Sequence, residues 1–369
     1  MQYEKRYIQS HCGLRGIAAA LVVSYHLQFG ANYLFHFESA TPFFKRGYLW
    51  VDLFFILSGF IISFTTVTVD EKFTKNEIAR FFRQRFARIY PLHLFCLLYL
   101  VSALGIIALL QNAIGSKVND PHWTSDGAVS LLTEVILIHA WGFGHNVAWN
   151  IPSWSISAEV FAYLLFPALY AAGKHPWARA VMVAGSVLLF SWIAITSGDL
   201  DIISGAAPLR CLAGFIIGME IYRARNVFGA MSDSVSSAVQ IGAALAIFAL
   251  LLVPANDVLL IIPFALLVGC TWHDKGAIAK ILASRPLQWL GDLSYSIYLN
   301  HVCVIQILWF FWGRLTAKFN FPEPESRLAW IVIVYCTTLL ISHFTYRYIE
   351  KPARRALSRR VISAEPKPH

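Results

Sequence analysis

The sequence predicts an all-α fold, a polytopic bundle of about ten transmembrane helices with both termini cytoplasmic. Three observations lead there. The 369 residues are 57% hydrophobic and only 14% charged, with mean hydropathy +0.57, where a soluble domain carries about a quarter charged residues. The apolar residues fall in long blocks separated by short charged stretches, and a bilayer span needs about 20 such residues. The Lys and Arg residues gather in alternate loops, which is a topology signal.

Candidate spans lie at 13–29, 47–65, 90–110, 156–172, 177–196, 204–222, 236–253, 258–272, 289–312 and 328–348. Lys5 and Arg6 precede the first run as in a signal peptide, but Arg15 and His26 mark its ends and no A-x-A site follows, so it reads as a helix that stays in the membrane. The apolar stretch from Val129 to His139 is short for a span. If it does not cross, the outer loops hold only Lys45, Arg46, Lys117, Arg314, Lys318 and Arg327 of the 30 Lys and Arg residues. The others, apart from Arg210 within a span, then fall on the cytoplasmic side, as the positive-inside rule requires. Residues 111–155 become one long outer segment. Residues 1–350 form a single membrane domain without internal repeat, followed by a basic cytoplasmic tail at 351–369.

Composition also excludes function classes. The net charge of +9 is spread over loops rather than over one surface, which argues against a nucleic-acid partner. The six cysteines lie in or beside apolar blocks with no CxxC, and read as small buried hydrophobes. The histidines lack ligand spacing such as HExxH, so no metal is expected.

What remains is a set of ionisable residues where lipid should be. Such groups are costly in hydrocarbon and mark internal paths or sites. Arg15 and His26 are eleven residues apart on the first helix, about 16 Å along its axis and within about 20° on one face. Asp52 opens the second span in "WVDLFFILSGF", where Ser58 and Gly59 suggest close helix packing. A carboxylate beside an imidazole fixes its tautomer, and Asp52 is a candidate partner for His26. Arg80, Arg83, Arg85 and Arg88 precede the third span, either as a positive-inside anchor or as a clamp for a phosphorylated cytoplasmic cofactor. "SWSISAE" carries Trp154, Ser155, Ser157 and Glu159. Arg210, inside its span, needs a carboxylate that Glu159 or Asp52 can supply. "LSYSIYLNH" brings Asn300 and His301 to mid-span.

At these residues the chain resembles the acyltransferase-3 family of bacterial integral-membrane acyltransferases. The resemblance rests on Arg15-x10-His26, "VDLFFILSGF", "RFARIYP", "SWSISAE", the Arg210 segment and "LSYSIYLNH", and it covers nearly the whole chain. It implies transfer of an acyl group, most often acetyl, from cytoplasmic acetyl-CoA to a hydroxyl of an envelope or exported glycan: exopolysaccharide, lipopolysaccharide or peptidoglycan. With the charge bias, it implies a bacterial inner-membrane location. The chain ends about twenty residues past its last expected span and looks like the form without an added esterase-like domain. On this scheme Arg83, Arg85, Arg88 and Arg15 hold the CoA phosphates. His26 acts as general base or briefly accepts the acyl group. Asp52 or Glu159 orients His26, and Arg210 or His301 polarises the thioester oxygen. Trp154, Ser155, Ser157 and Asn300 line the acceptor site.

Two other readings use the same residues. A transporter or flippase also places Arg, His and Glu within the membrane, although the inverted repeats common in transporters are absent from the sequence. A receptor or scaffold would pair these charges with one another and neither bind nor consume acyl-CoA.

Overall fold

Helix accounts for the regular structure throughout the computed structural model, which describes residues 7–27, 42–66, 74–113, 124–143, 149–319 and 323–359. In chain order the main helices are α1 Gln9–His26, α2 Trp50–Thr66, α3 Lys75–Ala113, α4 Ser125–Val135, α5 Ser153–Ala172 and α6 Pro176–Ser197. There follow α7 Ala207–Arg223, α8 Asp233–Leu252, α9 Ile261–Thr271, α10 Arg285–Phe319, α11 Glu323–Thr345 and α12 Lys351–Arg359. Seven helical stretches among the described residues are long and apolar enough to cross a membrane: Gly47–Thr66, Lys75–Ala113, Ser153–Ala172, Pro176–Ser197, Asp233–Leu252, Arg285–Trp312 and Ser326–Leu357. The sequence also suggested spans at 13–29, 204–222 and 258–272. These are helical as α1, α7 and α9, but α1 and α7 carry charged residues and α9 has only 11 residues. On α6, Leu188 and Ile195 are 68% and 80% exposed. Large side chains this apolar are left uncovered because lipid, not water, surrounds them. The chain is a multi-pass membrane protein.

Two element boundaries differ from the expected ones for identifiable reasons. The third span was expected to begin near residue 90, yet α3 runs unbroken from Lys75 past Pro91. Its start is set by a capping box: Thr74 Oγ1 accepts from the Glu77 backbone N–H, while the Glu77 carboxylate takes the Thr74 N–H. The Val129–His139 stretch is broken. Helix α4 stops at Val135, and Leu137 takes a left-handed φ of 59° that ends helix propagation.

The chain forms two compact units. The first comprises Met1–Tyr25, His36–Lys72 and Ala158–Ser294. Its core is the α2–α7 pair, where Gly59 faces the Phe215 carbonyl and Gly218 faces the Ile56 carbonyl. A Cβ at either position would collide with backbone, so the helices meet at the closest distance two backbones allow. The same device recurs where Gly16 of α1 meets Gly291 of α10. Arg46, which the sequence suggested as an outer-loop charge, is instead buried. It donates to the carbonyls of Leu250, Val253 and Ala255 and pairs with Asp257 at 2.5 Å.

The second unit comprises His26–Phe35, Phe73–Ser157 and Tyr295–His369. Within it α12 packs on α3, joined to α11 by a π-helical turn at Tyr346–Glu350. Within that turn Glu350 is only 1% exposed. Five cysteines are buried and Cys336 is exposed.

Candidate functional site

In the second unit, His26 closes α1 and His301 sits near the middle of α10. Their rings meet edge to face with centroids 4.8 Å apart, and His301 Nε2 lies 3.2 Å from His26 Nδ1. His301 Nδ1 is 3.1 Å from the Ile297 carbonyl one turn back on its own helix. A carbonyl only accepts, so His301 carries its proton on Nδ1 and offers the Nε2 lone pair. His26 must then donate from Nδ1, which puts the lone pair of its neutral ring on Nε2. The sequence named both histidines, but it proposed Asp52 as the partner that sets the tautomer of His26; here that partner is His301.

The first turn of α5 belongs to the same unit and is held by its serines. Ser155 donates to the Pro152 carbonyl at 3.1 Å and lies 2.8 Å from the Tyr298 hydroxyl, whose ring is 5.9 Å from that of His301. With the Ser155 proton committed to Pro152, Tyr298 is the donor to Ser155. Ser157 donates to the carbonyl of Leu137 and accepts from the N–H of Ala140. It therefore holds the strained turn at Leu137. Ser153 lies 3.0 Å from His139 Nε2. Trp154 is 7% exposed. Asn300 spends its amide on Ser296, Thr345 and Cys96, tying α10 to α11 and α3.

Several contributors escaped the sequence reading. The Glu134 carboxylate is fully buried and receives the backbone N–H groups of Trp149 and Asn150. Asn150 in turn donates to the Leu299 carbonyl, and His93 binds the Glu134 carbonyl at 2.9 Å. An acid inside the apolar run "LLTEVILIH" was the available signal. Tyr298 had none, because a tyrosine in an apolar span is an ordinary packing residue.

The first unit holds the other named residues. Asp52 and Arg210 are both fully buried and joined by two bonds, Nε–Oδ1 at 2.9 Å and Nη2–Oδ2 at 2.7 Å. Arg210 also reaches the carbonyls of Tyr48 and Ile202. Of the two carboxylates the sequence offered to Arg210, Asp52 is the one engaged. This bidentate pair has the geometry of a structural clamp across α2 and α7. Glu159 accepts from the Tyr163 hydroxyl one turn along α5 at 2.8 Å. Arg15 donates to Ser294 at 2.8 Å. In the loop before α7, burial raises the Asp201 carboxyl above its usual range, opposed by the Tyr25 hydroxyl at 2.7 Å and by the charge of Arg210.

The basic cluster divides in its roles. Arg88 pairs with buried Glu350, which also takes Ser296, and its guanidinium stacks over the Tyr295 ring at 4.9 Å. Arg83 is exposed, and Arg85 is half-buried with its guanidinium 5.9 Å from the Phe81 ring. Of the residues suggested for phosphates, Arg88 is thus committed within the protein.

The sequence profile described as an acyltransferase domain matches residues 12–347. Among curated proteins, the chain is 24% identical to the peptidoglycan O-acetyltransferase OatA of Listeria monocytogenes, over 96% of this chain and 57% of the relative. It is 26% identical to the acyltransferase MdmB of Streptomyces mycarofaciens, over 96% of this chain and 93% of the relative. It is 23% identical to the O-acetyltransferase OatA of Staphylococcus aureus, over 96% of this chain and 58% of the relative. The chain therefore spans little more than half the length of the OatA proteins it matches. No solved structure matches it. Because the family profile extends over nearly the whole chain and meets it at the helices that carry Arg15, His26, Asp52 and His301, this protein belongs to the acyltransferase-3 family.

Proposed function

We propose that the protein is a membrane O-acyltransferase that moves an acetyl or short acyl group from cytoplasmic acyl-CoA to a hydroxyl of an envelope or exported glycan. The observation that carries this reading is the His26–His301 pair, 3.2 Å apart. When the His26 ring, at the end of α1, is neutral, the order of hydrogen bonds through that pair puts its lone pair on Nε2. His26 Nε2 takes the proton of the acceptor hydroxyl as the oxygen adds to the acyl carbonyl. The carbon–sulfur bond then breaks, and the thiolate leaves with that proton. Base assistance of this kind is worth about 10²–10⁴ in rate. His301 is a positioning residue that fixes the tautomer of His26, and the Tyr298–Ser155 pair packs beside it. The O-acetyltransferase relatives support O-acetyl transfer, and the peptidoglycan on which the Listeria relative acts makes a muropeptide the first acceptor to try.

Two further elements complete the proposal. The N-terminus is cytoplasmic, as the charge bias indicates, which puts Arg15 near the inner leaflet and His26 toward the outer one, in a bacterial inner membrane. Arg83 and Arg85 meet the donor's phosphates from the aqueous side.

The experiment supplies proteoliposomes with radiolabelled acetyl-CoA and a panel of envelope glycans. The expected result is label in the glycan as an ester released by mild alkali. A folded, inserted protein that neither binds CoA nor labels any glycan contradicts the reading and favours a transporter.

A further inference from the structure

A cavity of about 420 Å³ opens in the first unit where α1 begins and α2 and α9 end. It is lined by Tyr7, Phe64, Arg225, Trp272, His273 and Asp274. These helix ends mark a membrane boundary, because the apolar stretch Gly47–Thr66 stops just beyond Phe64. Of the two charges in the lining, one is spent and one is not. The Asp274 carboxylate receives the N–H groups of Gln9 and Ser10 at 3.1 and 2.7 Å, and the positive end of α1 offsets its charge. Arg225 lies over the Tyr222 ring at 4.3 Å and, among the described residues, makes one hydrogen bond, to the Tyr222 carbonyl. Most of its N–H donors remain for a ligand. His273, at the surface, is held below its usual range by desolvation and then by the Lys275 charge. Its ring is therefore neutral at neutral pH and has one N–H to give. The aromatic walls are fixed in place. Trp272 Nε1 donates to the Arg225 carbonyl at 3.1 Å, and the Tyr7 hydroxyl donates to Gln288 at 2.8 Å.

We infer that this cavity binds the headgroup of an anionic phospholipid of the phosphatidylglycerol type, with its phosphate on Arg225 and His273 and its glycerol backbone against Phe64 and Trp272. Basic pockets between span ends take phospholipid phosphates, and Trp and Tyr rings settle at the headgroup level of a bilayer. A guanidinium fork matches the two free oxygens of a phosphate diester. The volume suits a headgroup. Asp274 sets the headgroup charge. With its carboxylate taken by α1, no acid in the lining is free to receive the ammonium of phosphatidylethanolamine. A headgroup of phosphate and hydroxyls alone fits what remains. Both leaflets of a bilayer present phosphates at this level, so the assignment holds for either topology. Neither the donor nor the acceptor of the proposed transfer enters it.

The test is native mass spectrometry of the purified full chain in micelles titrated with phosphatidylglycerol or phosphatidylethanolamine, with inorganic phosphate and CoA as competitors. The variants are Arg225→Ala, His273→Glu, which sets an anion beside Arg225, and Lys280→Ala, which removes an exposed charge outside the lining. Gel filtration and melting temperature check folding, and His273→Glu, at the surface, keeps the test decisive if Arg225→Ala does not fold. A single phosphatidylglycerol should be retained per chain in preference to phosphatidylethanolamine. Arg225→Ala and His273→Glu should each weaken its binding about tenfold or more, the loss of one charge-assisted contact, while Lys280→Ala leaves it unchanged. Equal retention of the two lipids, or wild-type affinity in folded Arg225→Ala or His273→Glu, overturns the headgroup site. Equal weakening by Lys280→Ala also overturns it, in favour of general surface charge. Displacement of the lipid by CoA overturns it in favour of a nucleotide site, and displacement by inorganic phosphate in favour of a small-anion site.

Discussion

His301 Nε2 sits 3.2 Å from His26 Nδ1 while His301 Nδ1 is spent on the Ile297 carbonyl. The order of donors and acceptors in that row leaves only one arrangement for two neutral rings, and it makes His26 Nε2 the basic atom. Replacing His301 by Phe removes the acceptor and frees the His26 tautomer. Transfer should fall by about one to two orders of magnitude, less than the full value of a general base. His301→Gln restores an acceptor oxygen and should recover part of the rate. Equal losses in both variants, measured as acyl transfer per folded protein, would remove the tautomer argument.

The Asp52–Arg210 pair predicts a different signature. Asp52→Asn or Arg210→Gln leaves one buried charge uncompensated, a loss of about 3–5 kcal/mol. The double variant Asp52→Leu with Arg210→Met removes both charges and should regain much of that stability. Unfolding in mixed micelles measures this. A folded Asp52→Asn protein of wild-type stability and no activity would instead give Asp52 the catalytic role expected from sequence.

Arg83 and Arg88 should separate in the same way. Arg88→Ala abandons Glu350 inside the second unit and should lower the melting temperature, with Glu350→Gln behaving alike. Exposed Arg83→Ala should leave stability within about 0.5 kcal/mol and raise the apparent KM for the acyl donor. Wild-type donor kinetics in Arg83→Ala would take that residue out of the phosphate site.

Helix contact gives a further prediction. Gly218→Val places side-chain carbon against the Ile56 carbonyl, and overpacking of this kind costs about 1–3 kcal/mol. Gly242→Ala on α8 meets nothing within 4 Å and should be neutral or slightly stabilising, since Ala is the better helix former. The two melting temperatures decide it.

Much of this architecture was legible in the sequence because the bilayer demands one thing of every span, about 20 apolar residues. Arg15, His26, Asp52, Arg210 and His301 announced themselves as ionisable groups inside such runs. Their partners did not. Asp52 and Arg210 are 158 positions apart, and His26 and His301 are 275 apart. Helical periodicity tells which face a residue occupies, not which helix lies opposite. For the same reason Arg46 read as a loop charge, although its guanidinium is taken up by three carbonyls and Asp257. Helix α3 outran its apolar block because Thr74 and Glu77 set its start, a local signal outweighed in a hydropathy reading. Glu134 serves backbone N–H groups of a later loop, a use invisible until that loop is folded over it.

Whether His26 is the base of acyl transfer is decided by His26→Ala in proteoliposomes. Release of CoA from radiolabelled acetyl-CoA is followed with a glycan acceptor present, beside wild type at matched folding and insertion. CoA should still bind while transfer falls by about 10²–10⁴. Near-normal transfer by the folded His26→Ala protein would contradict it.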